Sequence, residues 1–553
     1  MSDRGKNATL IAAAVALFLL PWINKPFHID DPLYLWTAQH IQTDPADFYG
    51  FEANWALTPK PMYESNQNPP LTAYYLAAAG WLLGWSETAM HLAMAPIAIA
   101  FGVGVFLLAG QFCQSPRLAA LIAISAPGAA LSFTTIMSDV PMVALWIWSF
   151  YFWTRGLKEN RPLFLGVAGG LAGLAILAKY FGFSLLPLLA AYTLMSDRKR
   201  WKALIWLAIP AVILGAYQYW TWRLYGVGLF GNALGYAAEV RTNHAANLLV
   251  RAVTGLAFLG GCFGLYWLLL TARQSWKPAA VLALAWGAVL ICIRSTSASW
   301  LPADPEAALT AGAASQLAFW AVCGAFTLGQ CIHAASRSRD AGAGALLLWI
   351  LGTVFYATFL NHFVNGRVML PALPAIAILA ARQLDHRPRD ESRPAWQSWS
   401  YAALVPSIIL SALICAADQS LARTAKSAAA EILDRHDPNQ IQFSGHWGFH
   451  YYMEQGGATP MDAEQLSVAF GGLYVTPSNN SNPIYLEPAQ IQQALPGSRA
   501  SLELHETQPL PWLATMDIMG GAGFHSANWG PVPFLFGPVP TEQYAMIRVD
   551  RAP

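Results

Sequence analysis

Apolar residues in this chain mostly run on rather than alternate with polar ones. A helix that crosses a bilayer needs roughly 20 mostly apolar residues, with about 17 as the practical minimum. Runs of that kind lie near residues 8–24, 88–111, 117–134, 139–155, 163–178, 181–195, 202–224, 247–271, 278–294, 315–335, 342–361, 368–383 and 398–417. They predict an all-α polytopic region over 1–417 with about 13 transmembrane helices. The stretch "LTAYYLAAAGWLLGW" at 71–85 is apolar but short for a crossing, so it is expected to lie along the membrane surface or to dip in and return.

From residue 418 the pattern changes. A helical segment "TAKSAAAEILDR" is followed by short alternating stretches, "QIQFSG", "LYVTP", "PIYLEP", "SLELHE" and "EQYAMIRVD", which predict strands. Residues 418–553 are therefore expected to form a separate α/β domain with a modest core of its own.

Charge orients the array. Alternate connectors carry Arg117; Arg155, Lys158 and Arg161; Arg198, Lys199, Arg200 and Lys202; Arg273 and Lys277; Arg337 and Arg339; and Arg382, Arg387, Arg389 and Arg393, while the intervening ones are acidic or nearly neutral. Cytoplasmic loops are the ones enriched in Lys and Arg. The N-terminus, with Arg4 and Lys6 ahead of the first apolar run, is thus placed in the cytoplasm as a retained signal-anchor. Residues 25–87 and the 418–553 domain fall on the extracytoplasmic face of the cell (inner) membrane. Counting 71–85 as a crossing would reverse every later loop.

Composition agrees: 55% of residues are hydrophobic and 11% charged, against roughly 25% charged in soluble domains. The net charge of +1 comes with no basic arm or stripe, which excludes a nucleic-acid partner. The 6 cysteines lie in or beside apolar runs and form no CxxC pair.

Candidate chemistry gathers at the extracytoplasmic ends of the spans. "NKPFHIDDPLYLWTAQH" places Asp30 and Asp31 beside His28, directly after the first span, at the start of a loop that also holds Lys60, Glu64 and Asn68. Adjacent carboxylates near low dielectric have spread pKa values, which suits a general base with an orienting or metal-binding partner. Helix capping by Asp30 ahead of Asp-Pro is the plainer account of one carboxylate, and leaves the second and His28 unexplained. Asp139, in "TTIMSDVPMVALW", is a third acid on the same face, a helix cap or a group sharing a metal or a substrate. Lys179 in "LAILAKYFGF" and Arg367 in "NHFVNGRVMLPALP", with His362 just ahead of it, are cations on a face that has few; they suit either a lipid phosphate or an ion pair with the acids. Arg241 and His244 are weaker candidates. The pair His446 and His450 lacks the acidic partner expected of a zinc motif, and the glycine pairs 169–170 and 260–261 read as helix contacts.

In order, "HIDDPLYLWTAQHI", "ESNQNPPLTAYYL", "SDVPMVALW", "LAILAKYFG" and "NGRVMLPALPAIAIL" resemble the GT-C glycosyltransferases. The branch is that of protein O-mannosyltransferases, lipid A aminoarabinose transferases and RgtA/B/C/D-like proteins. The resemblance implies transfer of a sugar from a polyprenyl-phosphate-linked donor to a glycan, lipid or protein acceptor on the extracytoplasmic face. It makes Asp30 the acceptor-activating base, puts Asp31 where the family usually has Glu, and makes Asp139 the second-loop acid. Arg367, helped by Lys179, would neutralise the departing phosphate. His28, Lys60, Glu64, Asn68 and His362 would contact substrate, and a divalent metal has room among the acids. Asn68 before Pro69-Pro70 departs from the His or Lys of many relatives. A multi-pass transporter is the alternative; against it, the charges cluster at span ends on one face rather than near the midplane. A scaffold for the 418–553 domain would leave the membrane-edge charges without a role. A ligase using a lipid-diphosphate donor would carry its chemistry in a large late loop.

Overall fold

The computed structural model describes residues 3–243, 247–272, 276–296, 299–301, 306, 308–385, 399–464 and 469–552. Among these, 8 helices are long and apolar enough to cross a membrane, and 5 shorter apolar helices accompany them, including Leu71–Leu83. The chain is a multi-pass membrane protein on this count, with the number thirteen left open by the short helices. Asp139–Glu159 lies at the centre, packed against Glu87–Ala109 and Pro162–Ala178. Its Trp146 stacks on Trp349 with ring centroids 5.6 Å apart, deep in the main core.

Small residues set the closest crossing. A Cβ on Gly324 would run into the Leu256 carbonyl, and one on Gly260 into Trp320 and Gly324, so these helices touch backbone to backbone. Gly169 likewise packs against the Trp206 carbonyl, whereas Gly170 faces open space.

Three expectations change. The run at 117–134 is two helices, Pro116–Ser125 and Pro127–Ser132, because the residue before a proline avoids helical backbone; Ala126 sits at ψ 134. The boundary at 417/418 falls inside one continuous helix, Leu404–Arg435, whose surroundings change while its hydrogen bonding does not. "PIYLEP" pairs with no strand.

Among the described residues, the connectors around residues 111–115, Lys158, Asp340 and residues 382–385 share one end of the bundle. Lys158 donates to the Gln111 carbonyl at 3.0 Å, Arg382 pairs with Asp340, and the Asp385 carboxylate accepts from the Gln114 amide at 2.6 Å. Residues 25–70 lie at the other end. Leu71–Leu83 stays there: Tyr74 donates to the Pro45 carbonyl at 2.6 Å, and the Tyr452 hydroxyl reaches Glu87, just past the helix, at 3.0 Å.

The C-terminal half of Leu404–Arg435 covers a five-stranded sheet with Ala428, Ala429 and Ile432 against Phe443, Val475 and Tyr544. Thr459–Pro460 and Leu473–Pro477 flank Ile441–Phe443 in parallel; Glu542–Arg551 runs antiparallel between Leu473–Pro477 and Ser498–Thr507. Between Ser498–Thr507 and Glu542–Arg551 the chain leaves the sheet over 508–541 and docks on the helix ends, Phe534 against Trp320 at 5.1 Å.

Candidate active site

Asp30 and Asp31 have different surroundings. Asp31 is fully buried and spends both oxygens on backbone: Oδ2 accepts from the His28 amide and Oδ1 from the Ile136 amide, each at 3.0 Å. Burial raises its pKa to about 6, against the pull of Lys25 and the two amides. The effect is to tie the loop after the first span to the loop ahead of Asp139, a tie repeated by Tyr34 and Ser138 at 2.8 Å. Asp30 occupies the N-cap position of Asp31–Thr43 yet makes no capping bond. Ile29 before it holds φ 52, a left-handed conformation that is costly for a β-branched residue. That backbone turns the Asp30 carboxylate out of the helix and toward Arg367.

Arg367 follows Asn365, whose side chain caps the short helix Gly366–Met369 by accepting from Val368 at 2.8 Å. Its guanidinium reaches three oxygen acceptors, Asp30 Oδ2 at 3.2 Å, Asp139 Oδ2 at 3.6 Å and the His525 carbonyl at 3.3 Å, and also contacts the Met137 sulfur. Lys179, extended at the end of Pro162–Ala178, donates to Asp139 Oδ1 at 2.6 Å. Two cations and two acids therefore alternate along one line, which is how charge is tolerated at low dielectric.

This line separates two cavities. One, of about 240 Å³, is walled on its apolar side by Phe181, Phe230, Leu234 and Tyr356 and on its polar side by Asp30, Asp139, Lys179, His362 and Arg367. The other, of about 180 Å³, shares Asp30, His362, Asn365 and Arg367 but is closed by Trp447, His525, Ser526 and Trp529 of the C-terminal region. Burial and the nearby Lys179 lower the His362 pKa to about 4, so its imidazole is neutral at neutral pH.

Of the residues read from the sequence, Asp30, Asp139, Lys179, His362 and Arg367 come together here. Asn68 lines the first cavity, its amide held toward Asn66. His28 and Asp31 line neither cavity, and Lys60 and Glu64 are exposed away from both. His446 and His450 are held by Ser481 at 3.0 Å and the Gly445 carbonyl at 3.2 Å. The side chain of Arg241, and His244, lie outside the described residues. Sequence reasoning missed the 508–541 excursion: the Gly366 amide donates to the Phe524 carbonyl at 2.9 Å and the Ala527 amide to the Val364 carbonyl at 2.7 Å, fixing the Arg367 loop. It also missed Arg251, which donates to the Thr358 carbonyl at 2.8 Å behind that loop. An arginine inside an apolar helix is costly in lipid, and that was the available signal.

Residues 67–222 match the family model of the dolichyl-phosphate-mannose-protein mannosyltransferases, a span that contains Asn68, Asp139 and Lys179 but neither Asp30 nor Arg367. No curated protein matches the chain. Among solved structures, the oligosaccharyltransferase of Archaeoglobus fulgidus, crystallised with a tethered acceptor peptide containing the NVT sequon, is similar with a TM-score of 0.50 at 14% identity, over 82% of this chain and 63% of that one. ArnT from Cupriavidus metallidurans bound to undecaprenyl phosphate aligns at 15% identity over 84% of this chain and 92% of that one, with a TM-score of 0.45. The chain thus spans under two thirds of the archaeal protein, and the fold is the GT-C fold that the ordered motifs resemble.

Proposed function

We propose that the chain transfers a sugar from a polyprenyl-phosphate-linked donor to a glycan, lipid or protein acceptor at the extracytoplasmic face of the inner membrane. The observation that carries this reading is Arg367, one guanidinium shared by Asp30 and Asp139 at the partition between a lipid-side cavity and a domain-side cavity. The donor named in the matching family's description is a lipid phosphate sugar of this class.

The donor phosphate would enter the cavity walled by Phe230 and Leu234 and take Arg367 and Lys179 as counter-cations, Arg367 by a two-pronged contact. That contact draws the guanidinium off Asp30. The acceptor enters from the side of Trp447 and Trp529, and Asp30 takes the proton from its hydroxyl or amine as that atom attacks the anomeric carbon. The bond from anomeric carbon to phosphate oxygen breaks, and the polyprenyl phosphate leaves with its negative charge facing Arg367 and Lys179. A single displacement inverts the anomeric centre. Asp139 positions both cations and does not touch the reacting atoms.

A divalent metal shared by Asp30, Asp31 and Asp139 is not part of this reading, since Asp31 is committed to two backbone amides and Asp139 to Lys179 and Arg367. The transporter alternative gives the paired acids and cations no reason to meet beside the C-terminal domain.

The test is deletion of the gene in its host and complementation with wild type, Asp30→Asn or Arg367→Lys, followed by mass spectrometry of surface glycans, lipids and glycoproteins. A sugar mass lost on deletion should return with wild type only. Full restoration by Asp30→Asn at equal protein level would remove Asp30 as the base.

A further inference from the structure

Beneath Asp30, behind the wall that His525 gives the smaller cavity, four polar residues from distant parts of the chain meet: Lys25, His28, Asp418 and His525 are each 3% exposed or less. Asp418 is the hub. Its Oδ2 takes Lys25 Nζ at 2.5 Å; its Oδ1 lies 3.0 Å from His525 Nε2 and 4.0 Å from His28 Nε2 and accepts from the Thr515 hydroxyl at 2.8 Å. The imidazole nitrogens and the carboxylate oxygen all lie within 4.8 Å of one another, and no other group of three or more such ligands forms among the described residues.

The second observation is His28 itself. Neither of its ring nitrogens has a hydrogen-bond partner, and the Nδ1 of His525 has none. A buried polar group left unpaired costs about 1–3 kcal/mol, and here the ring is aimed at a carboxylate that it does not reach. We infer that His28, Asp418 and His525 form a metal site for a zinc-class divalent cation, bound by two imidazole nitrogens and one carboxylate oxygen.

Donor chemistry selects the cation: two nitrogens and one oxygen suit zinc and its transition-metal neighbours rather than magnesium or calcium, which prefer oxygen. Ligands at about 2.0–2.1 Å in a tetrahedron stand roughly 3.3 Å apart, so the present 3.0 and 4.0 Å to the carboxylate, and a nitrogen–nitrogen separation within 4.8 Å, call for side-chain shifts of up to about 1.5 Å. Burial keeps both imidazoles in the neutral form that ligates, His28 with its pKa lowered to about 3. Lys25 does not oppose the site. It holds the other carboxylate oxygen and is fixed in turn by the Thr134 carbonyl at 3.1 Å, the arrangement of an outer partner that orients a ligand. It also faces the buried Asp31 carboxylate, so the two acids offset the ammonium and one of the two charges of a divalent cation. The three ligands come from the loop after the first span, the last long helix and the 508–541 excursion. A cation there clamps the C-terminal region onto the bundle two residues from Asp30, through a histidine whose carbonyl holds Arg367.

The test uses the full-length chain, purified in detergent with an affinity tag free of histidine, exhaustively dialysed against metal-free buffer and analysed by inductively coupled plasma mass spectrometry. About one zinc per chain is expected. His28→Gln and His525→Gln should each lower retention about tenfold or more, and His333→Gln, at an exposed position, should leave it unchanged. Cobalt added to stripped wild-type chain should give saturable visible absorption and restore the melting temperature, a readout that needs no variant. Sub-stoichiometric metal both as purified and after incubation with zinc or cobalt, or full retention in both histidine variants, would overturn the site and leave a buried proton network. Neither result bears on sugar transfer.

Discussion

Replacing the two adjacent aspartates one at a time should separate a structural carboxylate from a chemical one. In Asp31→Asn the side chain keeps one acceptor oxygen and turns an NH₂ toward the second backbone amide. One buried amide and one buried NH₂ are left unpaired where the carboxylate had accepted bonds from His28 and Ile136 at 3.0 Å. At about 1–3 kcal/mol for each of these two unsatisfied groups, the loss is roughly 2–6 kcal/mol. A chain of this length loses about 2–4 °C or less per kcal/mol, so a drop of roughly 5–15 °C is expected. In Asp30→Asn the side chain is 36% exposed and gives up one contact to Arg367, which keeps Asp139 and the His525 carbonyl. That costs within about 1 kcal/mol of stability, while removal of a general base costs about 10²–10⁴ in rate. The assay is intrinsic-fluorescence melting of both variants in detergent, with initial rates of polyprenyl phosphate release measured below the lower melting point. A stable, inactive Asp31→Asn beside a fully active Asp30→Asn would refute the assignment and the turn at Ile29 on which it rests.

Arg367→Lys keeps one charge but cannot span three acceptors, and a loss of about 10²–10³ in kcat is expected from the phosphate it no longer clamps; Lys179→Met should act mainly on donor KM, and equal kinetics in both variants would separate these cations from the reaction. Glu542 is buried in the sheet, where Asn479 is its one side-chain donor among the described residues, at 2.8 Å, and burial raises its pKa to about 7. Its folded value stands above the ordinary 4.5, so its contribution to stability is fully present below that value and is lost as pH rises through about 7, by roughly 3 kcal/mol at most. Melting curves of Glu542→Gln should therefore be flatter between pH 5 and 8 than those of wild type, and an unchanged pH slope would contradict the burial argument. Gly324→Ala should abolish accumulation of folded protein because its Cβ meets the Leu256 backbone, whereas Gly170→Ala, facing open space, should leave the melting temperature within about 1 °C or raise it.

Much of the membrane region was legible because crossing helices advertise themselves by length and apolarity, and because lysine and arginine mark alternate loops. The candidate site was partly legible for a related reason: a charge beside an apolar run is expensive, so Asp30, Asp139, Lys179 and Arg367 each stood out before they were seen to meet. What could not be read was which of two neighbouring acids faces the cavity. That depends on φ 52 at Ile29, and an isoleucine gives no hint of a left-handed turn. Nor could the 508–541 excursion be read. It has neither helical nor strand periodicity, and its contacts join residues such as 367 and 525, 158 positions apart. The position 417/418 lies within a helix because composition changes where that helix leaves the bundle for the sheet, while backbone hydrogen bonding carries straight on to Arg435.

The same ion pair that marks the site also orders the events proposed for it. Asp30 and a donor phosphate want the same guanidinium, and at 3.2 Å the carboxylate has it first. While that contact stands, the base is occupied and an acceptor in the cavity beside Trp447 and Trp529 meets a neutral pair rather than a free carboxylate. The donor's phosphodiester carries one negative charge, as a carboxylate does, but it accepts the planar fork through two oxygens, so on the proposed reading its arrival draws the guanidinium away from Asp30. Asp139 keeps Arg367 from following the phosphate out of line, and Lys179 keeps Asp139 charged and in place at 2.6 Å. On the proposed reading, deprotonation of the acceptor is then coupled to occupancy of the donor cavity, so that the base is freed only when a donor is bound.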